Sequence, residues 1–286
     1  MLKRGDKGPA VKDLQTMLVG CGYPLTRWGI DGDLGSETLG ALSMFLADHY
    51  ENYVDLDRNV VTDEEIDFVR RIYDAFQKQP DKPNVPIFYD LRETSSRKND
   101  RGPRSWSSIT GITLHQTACL LGIKPDRWKT VAAHAGVMRS GAAVLLHEFD
   151  RLVWHGNGWN NRCIGVEFDG LFAGVKGNMS TVWDDPSTPQ REQPVSLTKE
   201  QIVHGKEFIR WMKSYAESRG AKIRFLVAHR QASASRRNDP GQEIWQEIAL
   251  PLMAELGLED GGIGFKIGDG YPIPEVWDPR CKGIKY

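Results

Sequence analysis

AAVLLHEFDRLVWHGNGWNNRCIGVEFDG, residues 142–170, is the stretch that decides the fold class. It holds two short apolar runs of strand length, AAVLLHEF at 142–149 and CIGVEF at 163–168. Runs of the same texture lie on either side of it, ITGITL at 109–114 and IRFLVAH at 223–229. Helical patterns separate them. Thr198 and Gln201 form a capping box ahead of Ile202, Ile209 and Met212, and GQEIWQEIALPLMAELG at 241–257 reads as a helix that Pro251 kinks or ends. Strands interleaved with helices predict an α/β domain, a mixed β-sheet flanked by helices.

The texture is different toward the N-terminus. Val11, Leu14 and Leu18 recur at helical spacing, Leu39, Leu42, Phe45 and Leu46 give a second apolar stripe, and Thr62 with Glu65 starts a third helix carrying Ile66, Val69 and Tyr73. These predict a small all-α three-helix domain. QKQPDKPNVP at 77–86 is polar, Pro-rich and without period, and reads as a linker. The expected division is a helical domain at 1–78, a linker at 79–95, the α/β domain at 96–258 and an extension at 259–286 to which the sequence assigns no role. Residues 171–195 have no clear period and are expected to be a long loop.

Composition narrows the function. Lys plus Arg is 37 against 38 for Asp plus Glu, a formal net charge of −1, which argues against a polyanion-binding protein. No apolar run approaches the roughly 18 residues a membrane span needs, so no membrane insertion is expected. The start, MLKRGDKGPAVKDL, has no apolar secretory stretch, and Cys21, Cys119, Cys163 and Cys281 are scattered without a CxxC pair. Synthesis in the cytoplasm with reduced thiols is expected.

Two of the seven histidines, His115 in ITLHQT and His229 in LVAHRQ, fall at C-terminal strand ends, where α/β sites form. Asp239 follows His229 by ten residues in RRNDPG. Two imidazoles and a carboxylate suit a catalytic Zn²⁺ with one open position, and suit partly buried structural histidines equally well on spacing alone. Glu167 closes an apolar strand; a carboxylate there either faces a cleft or pairs with an Arg at the sheet edge. Other signals fail. His147-Glu148 begins like HExxH but Arg151 stands where the second His belongs, and DGDLGS at 31–36 begins like a calcium loop but puts Gly35 and Leu42 at ligand positions. The chain has no GxSxG elbow, P-loop or dinucleotide fingerprint.

Taken together, ITLHQTA, AAHAGVMRSGAAVLLHEFDRLVWHGNGWNNRCIGVEFDG and LVAHRQASASRRNDPG resemble, over roughly residues 100–250, the zinc-dependent N-acetylmuramoyl-L-alanine amidases of the type-2 family. That family includes phage endolysins, a cytosolic muropeptide-recycling amidase and the peptidoglycan recognition proteins. GDKGPAVKDLQTMLVGCGY at 5–23 and DGDLGSETLGALSMF at 31–45 resemble the three-helix peptidoglycan-binding domain of cell-wall hydrolases.

The resemblance implies a type-2 amidase-like sheet with Zn²⁺ held by His115, His229 and Asp239. It makes Glu167 the general base and Arg237 the cation that stabilises the oxyanion; relatives commonly carry Lys there, and Arg keeps the charge without readily giving up a proton. His134 and His155 match positions outside the metal ligands and are read as structural or cleft-lining, grouped with Asn160, Asn161 and Arg162 as substrate contacts. Ala135 stands where an aromatic is frequent. The implied activity is hydrolysis of the amide between N-acetylmuramic acid and L-alanine. The implied partner is bacterial peptidoglycan, and the implied role is that of a monomeric phage endolysin released to the wall. A recognition protein that binds without cutting, or a recycling amidase, are the alternatives.

Overall fold

The computed structural model describes residues 1–286 except 22, 24, 26, 50–58, 78–82, 84, 86 and 184–192. Much of the expected linker at 77–86 and part of the expected loop at 171–195 therefore lie outside the described residues. The chain forms two compact units, Met1–Phe88 and Tyr89–Tyr286.

In the first unit, α1 (Pro9–Gly20), α2 (Ser36–His49) and α3 (Asp63–Gln77) are accompanied by two short antiparallel strands, β1 (Leu2–Lys3) and β2 (Val60–Val61). Pro9 opens α1, where its fixed φ suits the helix and its missing N–H costs nothing. The expected stripes meet in one core: Val11, Leu14 and Leu18 pack with Leu39, Leu42, Phe45, Leu46 and Val69. Thr62 and Glu65 form their capping box, the Glu65 carboxylate accepting from the Thr62 N–H at 2.8 Å and the Thr62 hydroxyl from the Glu65 N–H at 3.2 Å. The DGDLGS turn is tied down by buried Gln15, whose amide donates to Asp31 and Thr38 and accepts from the Gly32 N–H.

The second unit is built on a mixed sheet flanked by helices. Its strands are β3 (Phe88–Asp90, at the unit boundary), β5 (Gly111–Gln116), β6 (Ala135–Val137), β7 (Ala143–Leu145), β9 (Cys163–Phe168) and β10 (Phe225–Ala228), in the order β10-β5-β9-β6-β7-β3. A separate pair, β4 (Asp100–Pro103) and β8 (Arg151–Val153), runs antiparallel. β10, β5, β9 and β6 run parallel to one another and β7 is antiparallel to β6. The sheet begins inside the stretch 79–95 expected to be linker, because Phe88–Asp90 finds a free edge beside β7.

Helix α4 (Lys199–Glu217) starts at the expected capping box and packs on β6 and β7. It buries Phe208, Ile209, Met212, Tyr215 and Ala216, one face at helical spacing. Gly205 permits the approach, since a Cβ there would meet the Phe168 ring at 2.7 Å. Pro251 does not end its helix. α5 (Gln242–Ile244) and α6 (Leu250–Leu256) are joined through a wide π turn at Trp245–Ala249. That turn absorbs the missing hydrogen bond and the ring of a proline in the first turn of α6.

Phe208 is fully buried and stacks on Trp211 with ring centroids 5.5 Å apart. Phe208→Ala is expected to cost about 3–5 kcal/mol, read from the urea midpoint. A loss below about 1 kcal/mol would show that the helix–sheet contact does not hold this unit together.

Candidate metal centre

Because β10, β5 and β9 are parallel and adjacent, their C-terminal ends share one rim of the sheet. His115 and Glu167 are direct cross-strand partners, so both side chains leave the same face. His229 is the first residue after β10, where the chain turns through two short 3-10 turns, His229–Ala232 and Ala234–Arg236. Those turns bring Asp239 back, its N–H donating to the Arg236 carbonyl and its carbonyl accepting from the Arg230 N–H, both at 3.0 Å.

The result is a buried cluster of three ligand atoms. His115 Nδ1 and His229 Nδ1 are 3.0 Å apart, His229 Nδ1 is 3.0 Å from Asp239 Oδ2, and His115 Nδ1 is 3.7 Å from the same oxygen. An ion held tetrahedrally at about 2.0–2.2 Å separates its ligand atoms by about 3.3–3.6 Å. The observed edges bracket that range, so these side chains fit a Zn²⁺-sized ion with shifts of a few tenths of an ångström.

Each group is held from behind. The second oxygen of Asp239 accepts from the Gln116 N–H at 3.1 Å. His155 Nε2 lies 3.1 Å from the Cys163 carbonyl, which can only accept, so the His155 proton sits on Nε2 and its Nδ1 accepts from His115 Nε2 at 3.0 Å. The His115 lone pair is thereby left on Nδ1, facing the cluster. Burial makes these imidazoles neutral: it is the main cause that takes His115 down to about 4 and His155 well below its usual range. Burial pushes the Asp239 carboxyl up, but its bonds to His115 and His229 outweigh that and hold it well below the ordinary carboxylate range.

Glu167 is half-buried, and its Oε2 is inaccessible and has no hydrogen-bond partner among the described residues. Burial first, and the Asp239 charge second, push its carboxyl well above the usual range, while Arg236 acts in the opposite direction. A carboxyl with a raised pKa beside a ligand cluster is a candidate for proton transfer.

Other anticipated residues lie elsewhere. His134 is fully buried, accepting from the Gly165 N–H at Nδ1 and facing the Arg151 carbonyl at Nε2, and His155 is buried behind His115. Both side chains are buried and bonded to neighbouring groups of this unit. Asn160 holds the loop that carries His155, its Oδ1 accepting from the His155 and Gly156 N–H groups. Asn161 and Arg162 are exposed. Arg237 is exposed, with its guanidinium over Tyr271 and Tyr286. Its neighbour Arg236, which the sequence reading passed over, stacks on Trp183 at 4.3 Å, and its charge acts on both His115 and Glu167.

Residues 105–242 match the model of the family described as N-acetylmuramoyl-L-alanine amidase. They include every member of the cluster. Over those residues the chain is similar to that amidase family. Among solved structures the chain is similar to the N-acetylmuramoyl-L-alanine amidase LysC from Clostridium intestinale, with 14% identity over 61% of this chain and 100% of that one and a TM-score of 0.41. It is similar to Drosophila PGRP-LB, at 14% identity over 59% and 92% with a TM-score of 0.38. The Ph2119 endolysin of a Thermus scotoductus bacteriophage gives 14% identity over 60% and 99%, with a TM-score of 0.35. A comparison with curated protein sequences finds no match.

The extension at 259–286 lies beyond the matched amidase residues and packs on the loop between two of the cluster's members. Arg230, next to His229, is fully buried; its guanidinium faces the rings of Trp277 at 4.7 Å and Tyr286 at 5.0 Å and donates to the carbonyls of Arg237 and Pro272. The Ile267 and Tyr271 N–H groups donate to the carbonyls of Gln231 and Arg230. The tail therefore braces the His229–Asp239 loop.

Gly165 faces the same side as Glu167, and a Cβ there would lie 2.5 Å from His155 Nδ1. Gly165→Ala should displace His155 and release His115. The expected outcome is a loss of about 1–3 kcal/mol in thermal unfolding and a zinc affinity about 10–100-fold weaker in chelator competition. Unchanged zinc affinity would show that His155 does not orient His115.

Proposed function

We propose that the protein is a zinc-dependent N-acetylmuramoyl-L-alanine amidase that acts on bacterial peptidoglycan as a lytic enzyme of the endolysin type. The observation that carries this reading is the convergence of His115 Nδ1, His229 Nδ1 and Asp239 Oδ2 beside the unpartnered Oε2 of Glu167. His115, His229 and Asp239 would hold the ion. Bound there, Zn²⁺ supplies positive charge that lowers the pKa of water toward about 7 and polarises a carbonyl.

The residues of the chain do the rest. Glu167 Oε2 takes a proton from the water as its oxygen attacks the lactyl carbonyl carbon of N-acetylmuramic acid. The same carboxyl then gives that proton to the nitrogen of L-alanine as the C–N bond breaks, leaving a lactyl carboxylic acid and a free amine, between which the second proton of the water passes to give carboxylate and ammonium. Negative charge develops on the carbonyl oxygen in between, and a fixed cation stabilises it. The resemblance names Arg237 for that task. Its position over Tyr271 and Tyr286, and the reach of Arg236 to His115 and Glu167, favour Arg236 as the charge facing the reaction and Arg237 as a brace for the tail. The resemblance of the first unit to a peptidoglycan-binding domain supports action on the insoluble wall rather than on soluble recycling fragments.

Purified sacculi incubated with the protein should release new L-alanine N-termini without new reducing sugars, and mass spectrometry of the products identifies the bond. A chelator should stop the reaction and added zinc restore it. Binding to sacculi with no new amines would mean recognition without cleavage.

Glu167→Gln is expected to keep zinc and lose activity by about 10²-fold or more; a rate near wild type would remove Glu167 from the chemistry. Asp239→Ala is expected to lose the metal, and full zinc occupancy by elemental analysis would contradict its place as a ligand.

A further inference from the structure

Of the two imidazoles in the cluster, His115 has its proton placed by His155. His229 needs the same service, and no histidine stands behind it. Its Nε2 instead lies 2.7 Å from Asn157 Oδ1. A carbonyl oxygen only accepts, so this contact favours the ring form with hydrogen on Nε2 and a lone pair on Nδ1, the nitrogen that faces His115 and Asp239. Asp239 Oδ2, 3.0 Å from Nδ1, competes for the same proton. Asn157 offers that proton a partner on the far side of the ring, where it does not obstruct a cation.

The local backbone is built for this contact. Asn157 has φ of 53°, in the left-handed region where Asn is among the few residues enriched after Gly. It opens the 3-10 turn Asn157–Trp159, two residues after His155. Asn160 ties that turn down through the His155 and Gly156 N–H groups, and Trp159 Nε1 donates to the Ala228 carbonyl, directly before His229. One loop thus presents His155 to His115 and Asn157 to His229.

We infer that Asn157 is a positioning residue that fixes the ring orientation and Nε2–H form of His229, so that His229 Nδ1 is presented to the cation. The inference rests on the zinc reading of the cluster. It concerns a side chain outside the three-residue cluster, on the far nitrogen of His229.

The test uses the full chain, zinc alone as the probe, and two variants. Asn157→Gly tolerates the left-handed φ and removes the acceptor; Asn157→Asp keeps an acceptor at the same reach. Zinc affinity is measured by chelator competition, and the His229 Nε2–H is followed by ¹H–¹⁵N NMR of the zinc-loaded proteins. Asn157→Gly is expected to bind zinc about 10–100-fold more weakly, with the His229 Nε2–H exchanging too fast to observe. Asn157→Asp is expected to return both the affinity and a protected Nε2–H. Wild-type zinc affinity in Asn157→Gly overturns the inference, as does a protected Nε2–H that persists in it. Failure of the wild-type protein itself to bind zinc would instead overturn the reading of the cluster on which the inference stands.

Discussion

Asp239 is a carboxylate with 5% of its surface exposed, and much of the site follows from satisfying it. An ionised carboxyl in an apolar interior is costly unless every lone pair is met. One oxygen takes the Gln116 N–H from the end of β5 and the other faces two imidazoles. Each of those imidazoles is backed by an acceptor on its far nitrogen. The negative charge that remains is felt by Glu167, one strand away, whose carboxyl is pushed up by its own burial and by Asp239. A cation placed among these groups would relieve the acid and meet the two lone pairs already aimed at it.

That arrangement depends on the register of the sheet. His115 stands opposite Glu167, and the parallel pairing of β10 with β5 delivers His229 to the same rim. A slip of one residue in β9 would turn Glu167 to the other face and bury it against the helix layer. The loop from His229 to Asp239 is braced by Arg230 and the aromatic tail, so the residues beyond 258 act on the site without entering it.

Much of this was legible in the linear chain. The period of Val11, Leu14 and Leu18, the capping boxes at Thr62 and Thr198, and the strand CIGVEF are local patterns, and local patterns survive folding because they are satisfied by near neighbours. The two-residue strands β1 and β2 were not legible, because only their pairing with each other defines them. His134 and His155 carry the residue type of a site, and only the folded unit shows that both are buried. Pro251 obeys its local rule only until the preceding turn widens to absorb it.

The sequence by itself determined the two kinds of folding unit, the family resemblance, and which side chains could carry metal and proton chemistry, since residue type and strand-end position are properties of short segments. The tertiary structure alone decided that Arg237 lies over the aromatic tail, that Asn157 stands behind His229, and that the tail holds their loop. Those contacts join segments tens of residues apart, and their distances are set by the packing of the whole unit rather than by any stretch of chain.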